Sequence, residues 1–553
     1  MEQNPQSGSD VIEGEEVTSS PNFNGGVNPA PGSDAAVNKH SDYLINTYED
    51  NGKRRREGGL SATGIASELA SWYEKLLTAI ENRDEEVILR AAIERILRRR
   101  LLLGGNGETV GPPLVKELVW ARYFPDETIG DDKVDEVIKT IDLYLDLRNT
   151  IPKHNKINDS ELHEWIYHLM ASDIEDRLNP TVKKEALISY IFHNIQPLVK
   201  ITDDTEEVRD IQVFIAIRKS YAKEDLAFLR YALFNQYFGR LSDKNIKEVG
   251  ERFSEGKKII EEQLNYTGRF KIFEYVKRQI PPFLILEDVL KAYNGRFREL
   301  ISNPEELNKV ISETCNARYA NISGKVRRAI IRSIIFILLS KVFLALTVEG
   351  TYDRIVYGHV IWGVIAINIA IPVAMMIGVS FIIRPPGKDN TERIISRINS
   401  ILFDEKPELG RPLWFNHKPR VKSLLDSIFT IVWLGTYLLS FGVIIYILSR
   451  LGFNFVSQAF FLFFFAIITF LSYRINQAAN IYTVKDQQRL ITPVIDFFFM
   501  PIARVGRYLA EGVRSINVFI FVLDMLIEMP LKGLIAFFER WFTFLHSKRE
   551  DLA

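Results

Sequence analysis

Three polar residues and a proline interrupt long apolar stretches in the second half of the chain: Arg332, Lys341, Asn368 and Pro372. A charge at the centre of a bilayer costs about 2.5–3.5 kcal/mol on insertion scales, so such residues are usually paired or functional. Arg332 lies about one turn from the basic end of its stretch, so its side chain can extend to the membrane surface. Lys341 lies deeper. It either reaches the far surface, where it pairs with Glu349, or belongs to a functional site.

Asn368 precedes Pro372 by four residues in the second apolar stretch. A proline inside a helix removes the hydrogen bond to the carbonyl four residues earlier. An amide beside a freed carbonyl can line a polar pocket. The alternative is that the amide bonds a neighbouring helix and the proline only kinks its own. Lys341 and Asn368 therefore mark one possible polar pathway.

The polar half of the chain has no recognisable catalytic, cofactor or metal motif. Glu161, Glu164 and His168 share a helical face, but a metal site also needs ligands from a second helix, and no partner Glu-x-x-His motif is evident. A phosphate-binding Gly-x-x-x-x-Gly-Lys-Ser/Thr loop and a nucleophile with a neighbouring base are also missing. We expect no catalytic residue, no cofactor and no metal. An enzyme is not excluded, but a non-enzymatic protein is favoured.

Four apolar runs approach or reach the length that a membrane crossing requires. A bilayer core needs about 20 mostly apolar residues per helix, and backbone groups in lipid must pair within the helix. We therefore predict a four-helix transmembrane region over residues 327–474. Its predicted spans are residues 329–348, 359–383, 424–448 and 455–472.

The number of basic residues, lysine plus arginine, alternates between high and low from one loop to the next. The connection over residues 384–423 carries nine of them, whereas the loops over 349–358 and 449–454 carry one each. Because basic loops stay on the cytosolic side, we expect both termini in the cytosol and two short loops outside. We therefore predict a multi-pass protein that is located in a cell (plasma) membrane.

The first half of the chain divides into a tail and a helical domain. Residues 1–59 are rich in Asn, Gly, Ser, Pro and acids, with too few apolar residues to form a core, so we predict a disordered tail. Residues 60–326 repeat apolar positions at steps of three and four, and strand-like alternation is nearly absent. These residues should form a cytosolic helical bundle or array, which makes the fold class all-α.

The C-terminal region is neither an ordinary span nor an ordinary soluble helix. After a linker over residues 475–489, residues 490–546 are aromatic-rich and carry a narrow polar stripe, which favours amphipathic helices at the cytosolic membrane face. The alternative is another transmembrane pair, at the cost of burying acidic residues in lipid. The stripe consists of Arg507, Arg514, Asn517, Asp524, Glu528, Lys532 and Glu539.

The functional hypothesis follows from where the polar surface lies. Most of it belongs to the predicted cytosolic domain, and the spans carry few ionisable groups. The leading hypothesis is a scaffold: the domain binds an unknown cytosolic protein partner, and the spans hold it in the lipid bilayer and can form a homo-oligomer. The alternative is a small-solute or ion transporter or channel subunit with a pathway near Lys341 and Asn368. The basic run at residues 53–56 lacks interleaved aromatics, so no nucleic-acid partner is expected.

Overall fold

The computed structural model describes residues 37–49, 87–102, 104–124, 129–152, 158–383, 386–416, 424–484 and 492–512. These residues are almost entirely helical, which confirms the all-α fold class. The helices before the first span are α1 (Lys39–Glu49), α2 (Ile88–Leu101), α3 (Gly107–Trp120), α4 (Asp131–Thr150), α5 (Asp159–Leu178), α6 (Val182–Ile195), α7 (Glu206–Ser220), α8 (Leu226–Phe238), α9 (Ile246–Leu264), α10 (Arg269–Gln279), α11 (Pro281–Ala292) and α12 (Phe297–Ile301).

The remaining elements include the apolar helices of the bundle, and α16 returns to the domain. They are α13 (Pro304–Leu344), a π-helical turn (Ala345–Glu349), α14 (Gly350–Tyr357), α15 (Trp362–Ile382), α16 (Lys388–Phe403), α17 (Leu424–Arg450), α18 (Phe455–Ala479) and α19 (Thr492–Gly512). Two short strands, β1 (Val199–Ile201) and β2 (Leu413–Phe415), pair in parallel.

The helical domain has two apolar cores. The first core is built from α2 to α5 with α8 and α9, around side chains such as Trp165 and Phe253. The second core is built from α1, α6, α7, α10 to α13 and α16, around side chains such as Phe283 and Ile398. Helix α7 contributes to both, because Ile215 packs in the first core and Val213 in the second. The two cores thus form one continuous domain.

The connection between the second and third spans folds into this domain. Ile394, Ile398 and Ile401 lie on one face of α16 and are fully buried in the second core. Farther along, β2 pairs with β1, with Trp414 opposite Lys200. The domain predicted over residues 60–326 therefore also contains residues 388–415, whose apolar stripe needs a partner from the first half of the chain.

The N-terminal tail contains a folded helix. The prediction that residues 1–59 are disordered is wrong for α1, where Leu44, Ile45 and Tyr48 are buried in the second core. Ser41 adds a hydrogen bond of 2.6 Å between its Oγ and Tyr190 Oη. Three apolar side chains on one face give this short helix enough burial once the domain supplies a surface. Residues 1–36 and 50–59 of the tail lie outside the described residues.

Within the described part of the chain, four helices are long and apolar enough to cross a membrane, which fits the predicted four spans. The first belongs to a helical segment that starts at Pro304 in the domain, so the predicted boundary at residue 326 falls within a continuous helix. The fourth continues to Ala479, so the predicted linker at residue 475 begins inside a helix. Helices α13, α15 and α18 share a core that contains Ile337, Met376 and Ile468.

The two short loops of the bundle meet at the same end. Asp353 of α14 accepts hydrogen bonds from the Asn454 side chain at 2.7 Å and from the Ile361 backbone at 3.1 Å. The helical domain lies at the opposite end, where α13 enters the bundle and α16 connects the second and third spans. We call these ends the loop side and the domain side.

Helix α19 belongs to the segment predicted to lie at the membrane face, residues 490–546, and it packs against α17 and α18. A Cβ on Gly506 would come 2.0 Å from the carbonyl oxygen of Ala466, near the middle of α18. Ser440 of α17 donates a 3.0 Å hydrogen bond to the carbonyl of Phe498. Glycine permits this close backbone approach, which hydropathy does not reveal. Residues 492–512 therefore pack closely against α17 and α18, and their placement at the membrane face stays a prediction.

Candidate functional site

A π-helical turn brings two distant charges of the first span onto one face. In a regular α-helix, each residue turns the chain by about 100°, so Lys341 and Glu349 would lie about 80° apart. The turn at Ala345–Glu349 lengthens one hydrogen-bonded turn by one residue. The eight-residue separation then behaves like seven residues, or about two full turns. Glu349 thereby faces Lys341 and the interior of the bundle.

The Glu349 carboxylate is held by two other spans. Asn368 Nδ2, from α15, lies 2.9 Å from Oε1 and 2.8 Å from Oε2. Ser457 Oγ, from α18, donates to Oε2 at 3.2 Å. Glu349, Asn368 and Ser457 are at most 1% exposed, so the site is sealed from solvent in this conformation. These hydrogen bonds tie the first, second and fourth spans together through one carboxylate.

Lys341 lies in an incompletely satisfied environment. Its Nζ is 3.5 Å from Glu349 Oε1, and the rings of Phe464 and Phe460 lie 4.8 and 5.8 Å away. Among the described residues, Nζ has no hydrogen-bond partner, and neither has the buried Asn368 Oδ1. The ammonium is therefore stabilised by charge attraction and aromatic faces without a short hydrogen bond.

Asp353 extends the polar cluster toward the loop side. It lies four residues after Glu349 on the same helical face and is 1% exposed. Asn454, which donates to Asp353, also caps α18 by accepting from the Ser457 backbone at 2.8 Å. We define the polar cluster as Lys341, Glu349, Asp353, Asn368, Asn454 and Ser457.

The structure places the predicted site residues in different environments. Lys341 and Asn368 meet in the polar cluster through Glu349, but Arg332 is exposed on α13 and takes no part in it. Pro372 is buried within α15, which continues through it from Trp362 to Ile382.

Of the predicted polar stripe, only Arg507 falls in the described chain, where it is exposed on α19. The stripe residues outside the described chain are Arg514, Asn517, Asp524, Glu528, Lys532 and Glu539.

Sequence reasoning missed most of the polar partners. Asp353, Asn454 and Ser457 lie at span ends, where polar residues are expected to face the membrane surface. The available signal was the i, i+4 spacing of Glu349 and Asp353 directly after an apolar run. Their common face follows from helical periodicity, but the rotation that aims it inward depends on the π-helical turn.

A second polar arrangement joins the domain to the bundle. Asn390, at the start of α16, donates from Nδ2 to Tyr319 Oη at 2.7 Å and to the Tyr482 carbonyl at 2.8 Å. Its Oδ1 accepts from the Val484 backbone at 2.8 Å. One amide thus connects α13, α16 and the segment after α18, at the domain side of the bundle.

The two carboxylates considered for metal binding pair with basic side chains instead: Glu161 accepts from Lys257 Nζ at 2.6 Å, and Glu164 contacts the Arg230 guanidinium. Arg230 Nη1 lies 3.1 Å from Glu164 and 2.9 Å from His168 Nδ1, and Arg230 Nη2 is 2.6 Å from Glu261. Burial lowers the pKa of His168, because it disfavours the charged imidazolium.

Elsewhere in the domain, burial raises the pKa of Glu175 to about 7, although Arg90 at 3.0 Å opposes that shift.

A buried carboxylate beside an ammonium can bind and release a proton, and it holds helices together by hydrogen bonds.

Comparison of the chain with protein-family models, curated proteins and solved structures gives no match.

Proposed function

We propose that this membrane protein is a non-enzymatic scaffold that holds a partner-binding helical domain at a fixed position on the membrane. The observation that carries the proposal is α13. This helix is about 60 Å long at 1.5 Å per residue. Leu307 and Ile311 pack in the second core of the domain, and Ile330 and Ile337 pack between the spans.

Two further connections support a rigid attachment. Helix α16 leaves the second span and is buried in the domain core through Ile398. Asn390 bonds α13 and the segment after α18 at the same level. A domain attached by one flexible linker would move freely, whereas three connections restrain both its distance and its rotation. A fixed orientation suits a surface that must meet a partner at the membrane.

The cytosolic side is proposed from charge. Nine basic residues lie between the second and third spans, and the five of them that the structure describes, at positions 388, 393, 397, 406 and 411, belong to the domain side. The loops on the other side carry one basic residue each. The positive-inside rule then assigns the domain side to the cytosol.

The alternative, a small-solute or ion transporter or channel, rests on Lys341 Nζ and Asn368 Oδ1, which are buried and without hydrogen-bond partners among the described residues. Such groups often mark a pathway. Against this alternative, Glu349 is paired to three side chains, and all four of these side chains are at most 1% exposed. The scaffold is therefore the better-supported function.

The test combines cross-linking with flux. A photoreactive residue replaces Phe270 or Trp414, which are 68% and 69% exposed on the domain, or Phe455, which is 80% exposed at the loop side. In native membranes, the scaffold predicts a discrete cross-linked partner at a domain position but none at residue 455. In liposomes, ion or solute flux that Lys341→Met abolishes would contradict the scaffold and support the transporter.

A further inference from the structure

The polar cluster forms only when the turn at Ala345–Glu349 is π-helical, and the alternative to that turn is a regular α-helical one. The π-helical turn at Ala345–Glu349 contains one residue more than a regular turn. If this turn became α-helical, everything beyond it would rotate by about 100°. Glu349 would leave Asn368 and Ser457, and Asp353 would leave Asn454. The cluster and the π-helical turn therefore exist together or not at all.

The charge on Glu349 is what holds this register. Its carboxylate attracts Lys341 and accepts hydrogen bonds from Asn368 and Ser457. Hydrogen bonds to a charged acceptor are about twice as strong as neutral ones. A proton on Glu349 removes the ion pair, weakens both hydrogen bonds and leaves the Lys341 ammonium buried without a counter-charge. Each of these changes disfavours the π-helical turn.

The polar and titratable groups around Glu349 come from α13, α15, α18 and the helix that carries Glu349 itself. Helix α13 contributes Lys341, and the helix of Glu349 itself contributes Asp353. Helix α15 contributes Asn368, and α18 contributes Ser457 with its cap Asn454, all three uncharged. Arg354 and His359 are exposed. Asp353 separates Glu349 from the loop side by one helical turn, which makes that side the shorter route for a proton.

We propose that Glu349 is a proton-binding site reached from the loop side, and that its proton occupancy switches the Ala345–Glu349 turn between π-helical and α-helical registers. The ligand is a proton from water. Its binding converts a carboxylate to a carboxylic acid, and no other reactant is required. The inference does not depend on the scaffold function. It makes the membrane bundle responsive to acidity at its loop side.

The test measures a distance in the full-length protein reconstituted in lipid nanodiscs. Cys315 is replaced by serine, and spin labels are attached at Ile355→Cys on α14 and Phe455→Cys on α18, positions that are 79% and 80% exposed. A rotation of about 100° moves a side chain at a helix surface by roughly 8 Å. Acidification should therefore shift the distance distribution, with a change of up to roughly 8 Å.

Variants assign the shift to Glu349. Glu349→Gln should give the acidic distribution at all pH values, whereas Glu305→Gln, an exposed carboxylate at the start of α13, should behave like the unsubstituted protein. An identical distance at acidic and basic pH overturns the proposal, as does a shift that persists in Glu349→Gln.

A further measurement covers the case in which Glu349→Gln does not fold. Glu175 is also buried and its pKa is raised to about 7, so it would give the same signal, and the measurement uses the Glu175→Gln variant. Infrared spectra of that variant should gain a buried carboxylic-acid carbonyl band on acidification. A spectrum without that gain overturns proton binding.

Discussion

The ion pair of the polar cluster predicts an asymmetric pattern of stability losses. Glu349→Gln leaves the Lys341 ammonium fully buried with only aromatic rings around it, and breaking a buried pair in this way typically costs about 3–5 kcal/mol. Lys341→Met should cost less, about 1–3 kcal/mol. Its cost is smaller because Glu349 keeps its hydrogen bonds from Asn368 and Ser457.

The double variant tests the pairing itself. Lys341→Met with Glu349→Gln removes both charges, so it should be more stable than the sum of the single losses implies, by about 2 kcal/mol. The assay is equilibrium unfolding of the full-length chain in lipid–detergent micelles, followed by circular dichroism. Arg332→Met, which removes an exposed charge from the same span, should change stability by about 0.5 kcal/mol or less. Losses that add within about 0.5 kcal/mol would refute the pairing.

Three further outcomes follow from other parts of the fold. Gly506→Leu should destabilise the bundle by about 1–3 kcal/mol because its Cβ meets the Ala466 carbonyl. Gly442→Leu, where a Cβ meets nothing within 4 Å, should not, and equal losses in the micelle assay would contradict the packing. Asn390→Ala should speed proteolysis between domain and bundle, because three segments lose a shared amide; an unchanged cleavage rate would argue against that junction. The pKa of Glu175 is raised from 4.5 to about 7, so its contribution to stability is complete below about pH 4.5 and is lost as pH rises through about 7. Glu175→Gln should flatten that part of the stability–pH curve, and an unchanged slope would show that other groups cause it.

Much of the architecture could be predicted because it rests on local patterns. Hydropathy gave the four spans, and periodicity of three and four gave the all-α class. The depth of Lys341 and the nearness of Glu349 suggested their pairing. These features depend on short stretches of chain, and the composition of each stretch determines whether it favours lipid or water.

The features that sequence reasoning missed depend on distant partners. The stripe of Ile394, Ile398 and Ile401 is visible in the sequence, but its packing surface comes from helices more than 70 residues earlier. A Pro-Pro pair such as Pro112-Pro113 is typical of a loop, yet these residues lie inside α3, which Asn106 starts with a capping box. Burial of Leu114 and Leu118 offsets the backbone bonds that the prolines remove.

The site shows the same limit at smaller scale. One additional residue in the turn at Ala345–Glu349 decides whether Glu349 faces Asn368 or another direction. Hydrophobic periodicity does not reveal a π-helical turn, because its cause is the set of contacts that the turn permits.

The most direct test of the scaffold is the distance between domain and bundle in single molecules. Fluorophores on α9 at Lys258→Cys, a side chain that is 78% exposed, and on α14 at Ile355→Cys, both in a Cys315→Ser background, report that distance across α13. We predict one narrow distribution, which broadens when a flexible Gly-Ser segment is inserted after Gly324. A distribution that is already broad in the chain without that insertion would contradict a domain held in place by the first span.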